Sequence, residues 1–155
     1  MNIIAKALAV LKTREFISVA TADKSGKPNS APKLLLKVKG AFIYLIDYSI
    51  GKTVQNLRVN PLVSLSFIDV SSLLGYRLNG TAAVIEKGRL YAECLKVLRK
   101  KEITLSAERI VQGVRDNKAH ADFEMGIPER FLVYKVRIEE GSEISPRGVI
   151  ERENN

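Results

Sequence analysis

Three apolar runs, residues 16–21 (FISVAT), 29–38 (NSAPKLLLKV) and 41–46 (AFIYLI), follow one another with only a few residues between them. That spacing constrains the fold more than any other feature. A parallel pair of strands needs a crossover of a dozen or more residues, whereas antiparallel neighbours can be joined by a tight turn. The links here are DKSGKP, in which Gly26 can take positive φ and Pro28 cannot continue a ladder, and Lys39-Gly40. With their β-branched and aromatic residues, the runs read as an antiparallel meander.

Two more strands follow. Residues 62–69 (LVSLSFID) alternate, with Val63, Leu65 and Phe67 on one side and Ser64 and Ser66 on the other. Residues 76–86 (YRLNGTAAVIE) form a longer strand in which Gly80 marks a bend or bulge. The character changes at Gly88. Residues 89–101 put Leu90, Tyr91, Cys94, Val97 and Leu98 at helical spacing, and 106–115 do the same with Ala107, Ile110, Val111 and Val114 behind a Ser106 cap. This predicts a helix pair. Residues 117–129 read as irregular, 131–138 (FLVYKVRI) as the last strand, and 146–155 as a loose polar tail. At the start, Ile4, Ala7, Leu8 and Leu11 share one helical face while Lys6 and Lys12 interrupt the run, which indicates an amphipathic helix rather than a signal peptide. The expected architecture is one domain over residues 1–145, mainly β. About six antiparallel strands form a barrel, which removes exposed edges, with an N-terminal helix, a short helix after the third strand and the inserted pair.

Composition narrows the function. No apolar run approaches the ~18 to 20 residues that span a bilayer. A single cysteine, Cys94, rules out an internal disulfide framework and makes the cytoplasm the default location. One Cys and one His cannot assemble a four-ligand zinc site of the Cys/His kind. The net charge of +8 is uneven: residues 1–80 hold 11 Lys and Arg against 4 Asp and Glu, while 81–155 hold 14 against 13. The first half therefore favours an anionic partner.

The sharpest local signal is residues 48–61, YSIGKTVQNLRVNP. Ser49 is a plausible N-cap, Val54 and Leu57 give one apolar face, and Asn60-Pro61 stops the helix, because the residue before proline avoids the helical region. Gly51-Lys52-Thr53 is not a nucleotide-triphosphate loop: that motif needs a glycine five positions earlier, where Ile46 stands inside a strand. The tripeptide still has phosphate-binding chemistry. Backbone N–H groups in a first helical turn lack partners and the dipole end there is positive, so Lys52 is unfavourable unless an anion sits beside it. Gly51 allows close approach and Thr53 adds a hydroxyl donor. The plain alternative is a solvated turn lysine.

Other singled-out residues have plain readings. His120 is an exposed loop residue, Cys94 a core thiol and Tyr44 packing, with Tyr48 a candidate for ring contact. Arg99, Lys100 and Lys101 read as a solvated helix end, where the dipole favours cations.

Taken together, Thr21, Gly26 with Pro28, Lys52, Asn60-Pro61, and Gly80 with Ala82 keep an order and spacing that resembles the FMN-binding split barrels related to pyridoxamine 5′-phosphate oxidase. The likeness covers residues 10–87, about half the chain. It implies a split β-barrel homodimer with FMN at the subunit interface and a small-molecule or flavin/nicotinamide redox partner. It also implies that Lys52, with Gly51 and Thr53, contacts the phosphate. Strand residues Ser30, Ala31, Pro32, Lys33 and Leu34 would pass beside the ring system, with Asn56 and Arg77 as further candidates. The chain departs from true pyridoxamine phosphate oxidases: Gly75 stands where they carry a glutamine, there is no Trp for their C-terminal site, and residues 89–115 are absent from the smallest members.

Flavin performs the electron transfer itself, so no catalytic side chain is required. Lys33 is the candidate positive charge near the N1/C2 side of the ring. The alternatives are a barrel that binds a deazaflavin or haem, and a small-barrel nucleic-acid binder. The last is disfavoured because stacking aromatics are few and leucines flank Lys33.

Overall fold

The computed structural model describes residues 2–116 and 130–155. The chain order is α1 (Ile3–Leu11), β1 (Phe16–Ala22), β2 (Pro28–Lys39), β3 (Phe42–Asp47), α2 (Lys52–Val59), β4 (Leu62–Asp69), β5 (Leu74–Ile85), α3 (Arg89–Arg115), β6 (Leu132–Ile144) and β7 (Ile150–Asn154). All pairings are antiparallel. The strands run in the order β3-β2-β1-β4-β5-β6, and β3 pairs with β6 to close a six-stranded barrel. One edge of β6 is taken by β3 up to Arg137; β7 occupies that edge from Glu140 to Ile144.

Alternation sorts each strand into an inner and an outer set. Ile17, Val19, Leu35, Ile43, Leu45, Leu65, Leu78, Tyr134, Val136 and Ile138 form the interior, joined by Ile4, Ala7 and Leu11 of α1 and Val54 and Leu57 of α2. The side chains on β2 and β3 that face outward, Leu34, Leu36, Tyr44 and Ile46, pack instead under α3, against Cys94 and Leu98. Each fully buried aliphatic side chain contributes about 1.5–3 kcal/mol. Gly80 is required by contact: the β5–β6 register shifts between Asn79 and Gly80, and an added Cβ would overlap the Arg137 carbonyl oxygen.

Four expectations are corrected. The predicted helix pair is one unbroken helix of 27 residues. No Gly or Pro interrupts residues 100–107, and Thr104 returns its hydroxyl to the Lys100 carbonyl at 3.2 Å, a bond compatible with helix interior. Because α3 continues to Arg115, the basic run at 99–101 is not a helix end. Arg99 and Lys100 are exposed, but Lys101 is half-buried and donates to the Leu35 carbonyl, and burial lowers its pKa. The tail is not loose. It forms β7, pairing with the end of β6 that extends past Ile138, where the last strand was expected to stop. Ser49 does not cap α2; Gly51 holds that position with no side-chain bond. Cys94 and Tyr44 are core residues as expected, and burial raises the pKa of both. Tyr48 packs against the cluster under α3, where burial and then Glu102 push its phenol up to about 12. His120 lies outside the described residues.

Candidate functional site

The first turn of α2 is set by the chain that enters it. β3 ends at Asp47, whose Oδ1 accepts four hydrogen bonds: from Lys33 Nζ at 2.7 Å, Ser49 Oγ at 2.7 Å, the Ser49 amide at 3.0 Å and the Ile50 amide at 3.4 Å. Its Oδ2 accepts from the Tyr134 hydroxyl. Lys33 Nζ also donates to Ser49 Oγ at 2.9 Å. Burial raises the Asp47 pKa, but bonds from Lys33, Tyr134 and Ser49 outweigh it and hold the carboxyl below its ordinary range. The phenol of Tyr134 is pushed far up, by burial and by its bond to that carboxylate. This cluster fixes a turn in which Ile50 takes φ of 43°, a left-handed conformation that costs a β-branched residue about 1–3 kcal/mol.

Beyond that turn α2 starts at Lys52, which is exposed, with Gly51 half-buried ahead of it. The helix end thus carries a positive dipole, N–H groups without a side-chain cap, and a cation pointing to solvent. That donor set suits a phosphate. Thr53 stands just behind it, 2% exposed, and accepts from Asn29 Nδ2 at 3.3 Å.

The remaining candidates separate. Asn56, 1% exposed, donates to Thr21 Oγ1 at 3.1 Å and ties α2 to β1; its amide is internal. Lys33 follows Pro32 on a strand, so it faces the opposite side, into the barrel. Its ammonium is committed to Asp47 and Ser49 inside the barrel, away from the outer face of Ser30 and Pro32, whereas the sequence made it the candidate positive charge beside the ring. Leu34 is buried beneath α3, and Ala31 is half-buried.

Ser30 and Pro32 lie on the outer face of the barrel, and so does Arg77. Strand register aligns Pro32, Ser18, Ser66, Arg77 and Ser142 in one row across five strands, with Ser30, Ala20, Ser64, Asn79 and Glu140 in the next. Arg77 is three strand spacings, about 14 Å, from Pro32; its Nη2 donates to Ser142 Oγ at 3.3 Å and its Nε is buried without a partner among the described residues. Ser64 and Ser66, the polar side of residues 62–69, are joined by Ser18, Ala20 and Ser30 into a floor of small side chains that no single strand's pattern reveals. Ser18 and Ser30 hydroxyls meet at 3.0 Å. Beside this floor is a cleft of about 440 Å³ lined by Ala20, Thr21, Asn60, Leu62, Ser64 and Asn79. It adjoins the C-terminal end of α2; no residue of the first turn lines it.

The sequence model of the family described as pyridoxamine 5′-phosphate oxidase matches residues 3–145. An uncharacterized protein of Methanocaldococcus jannaschii is 30% identical over 102 residues, 64% of this chain; the chain spans 65% of that curated relative's length. Among solved structures, a Clostridium acetobutylicum protein related to general stress protein 26, of the pyridoxinephosphate oxidase family, superposes with TM-score 0.67 at 17% identity, covering 97% of this chain and 93% of that one. A haem-binding protein from Mycobacterium smegmatis gives 0.66 at 14% identity, covering 99% and 58%. An FMN-binding protein from Nostoc punctiforme gives 0.55 at 11% identity, covering 98% and 94%.

Proposed function

The chain belongs to the pyridoxamine 5′-phosphate oxidase family, and on that premise we propose that it is an FMN-binding flavoprotein, an oxidoreductase or electron carrier that works with a small-molecule or flavin/nicotinamide partner. The observation that carries this reading is the first turn of α2: an uncapped helix N-terminus with an exposed lysine in its first position. A phosphate satisfies the orphan amides and removes the repulsion between Lys52 and the helix dipole. In this reading Lys52 and the amides following Gly51 hold the phosphate, while Ser30 and Pro32 flank the ring. Bound FMN supplies the redox chemistry; the protein holds the phosphate, orients the ring and controls solvent around it.

The outer face supports a homodimer. Its small side chains allow a second barrel to approach closely, and Phe16, Leu62 and Ile68, each at least half exposed, occupy outward positions on β1 and β4. Large apolar residues gathered on one face mark association surfaces. A flavin between two such faces is completed by both subunits.

The test is an absorption spectrum after incubation with FMN and gel filtration, with the mass measured in the same run. One flavin retained per chain, on a dimer, supports the reading. Loss of all flavin overturns it, and retention of haem or a deazaflavin instead directs the assignment to those ligands.

A further inference from the structure

We propose that Asp47 is the positioning residue of the flavin-phosphate site, a role that rests on the reading of α2 given above. A buried lysine–carboxylate pair is a poor device for stability alone, because desolvation offsets most of the attraction and an apolar pair of similar volume does as well or better. Lys33 and Asp47 have side chains 3% and 0% exposed, so their burial calls for another explanation. The bonds show what the pair does. Besides Lys33, Asp47 Oδ1 engages the consecutive amides of Ser49 and Ile50 and the Ser49 hydroxyl, in the turn that aims α2.

Two consequences follow for the helix end. First, Ile50 stays left-handed because its amide and that of Ser49 converge on one oxygen. Without that acceptor the turn relaxes toward an ordinary conformation and the amides after Gly51 rotate with it. Second, Ser49 is the residue whose hydroxyl would be expected to cap α2. Here its hydroxyl donates to Asp47 and accepts from Lys33. Ser49 stands two residues before the cap position, which Gly51 holds without a side chain, so the helix end is open to an external anion. Tyr134 on β6 fixes the other carboxylate oxygen, so three strands and the turn meet at one group.

The experiment measures dissociation constants of FMN and of riboflavin, which lacks the phosphate, on the full-length protein and two double variants. The quantity read is the preference for FMN over riboflavin. Lys33→Met with Asp47→Asn removes both buried charges but keeps an acceptor oxygen for the turn; the preference is unchanged from the parent. Lys33→Met with Asp47→Leu removes the acceptor; FMN weakens until the preference approaches one, while riboflavin affinity holds. If the Leu variant does not fold, Tyr134→Phe decides, with an expected threefold fall against no change. Equal weakening of both ligands means a merely structural role and overturns the proposal. So does an unchanged preference in the Leu variant; if Lys52→Ala abolishes the preference in the same series, the phosphate reading stands and only Asp47 falls. A parent protein that does not prefer FMN overturns both.

Discussion

At its C-terminal end α2 is anchored by a neutral bond, Asn56 to Thr21, and by the buried Leu57, with Arg58 paired to Glu86 at the surface. At its N-terminal end the same helix is aimed by a buried charge cluster around Asp47 and is left uncapped, with Lys52 in solvent. One end is tied into the chain; at the other the first turn has no side-chain cap and Lys52, whose charge reaches Asp23, faces solvent. A helix that had only to fill space would be closed at both ends. The asymmetry separates the anchoring end from the receiving end.

The comparison breaks most severely at Asp47. Asp47→Ala alone leaves Lys33 buried without its counter-ion and is expected to destabilise by about 3–5 kcal/mol in denaturant unfolding. Asn56→Ala removes one neutral partner and leaves the Thr21 hydroxyl unsatisfied, which costs about 1–3 kcal/mol in the same assay. If the order is reversed, the ionic end is not the stiffer one. Acid sharpens the distinction. The Asp47 carboxyl sits below its unfolded value of about 3.9, so its contribution is full above that pH and lost as pH falls through the folded value. Below about pH 4 the parent should lose stability more steeply than the Lys33→Met, Asp47→Asn variant, while Asn56→Ala tracks the parent. Arg58→Ala, which breaks an exposed pair, should change stability by no more than about 1 kcal/mol, and less in high salt.

The barrel was legible because alternation and short turns are local properties. LVSLSFID is β4 residue for residue, and α1 buries Ile4, Ala7 and Leu11 of the face that periodicity marks. What failed depended on partners far along the chain. Ser49 reads as a cap, but α2 starts only at Lys52 and the Ser49 hydroxyl donates to Asp47 and accepts from Lys33, 16 residues earlier. The residues after Ser145 look loose because their partner, the end of β6, reads as lying beyond the last strand. Lys101 looks solvated, but its ammonium donates to the Leu35 carbonyl, 66 residues earlier, beside a register shift in β2. Within the site, Lys52 and Gly51 were readable from helix-end chemistry, whereas the partner of the inward Lys33 is Asp47, 14 residues away, which spacing alone does not reveal.

The smallest change in stability belongs to Lys52, an exposed residue whose removal should stay within about 0.5 kcal/mol of the parent. That makes it the cleanest probe of the receiving end. The decisive measurement is the calorimetric titration of FMN and riboflavin into the protein and into Lys52→Ala. Loss of a charge-assisted contact of about 1.5–3 kcal/mol predicts FMN binding about ten- to a hundredfold weaker, with riboflavin unchanged. FMN bound equally well by both proteins would contradict the assignment of its phosphate to the first turn of α2.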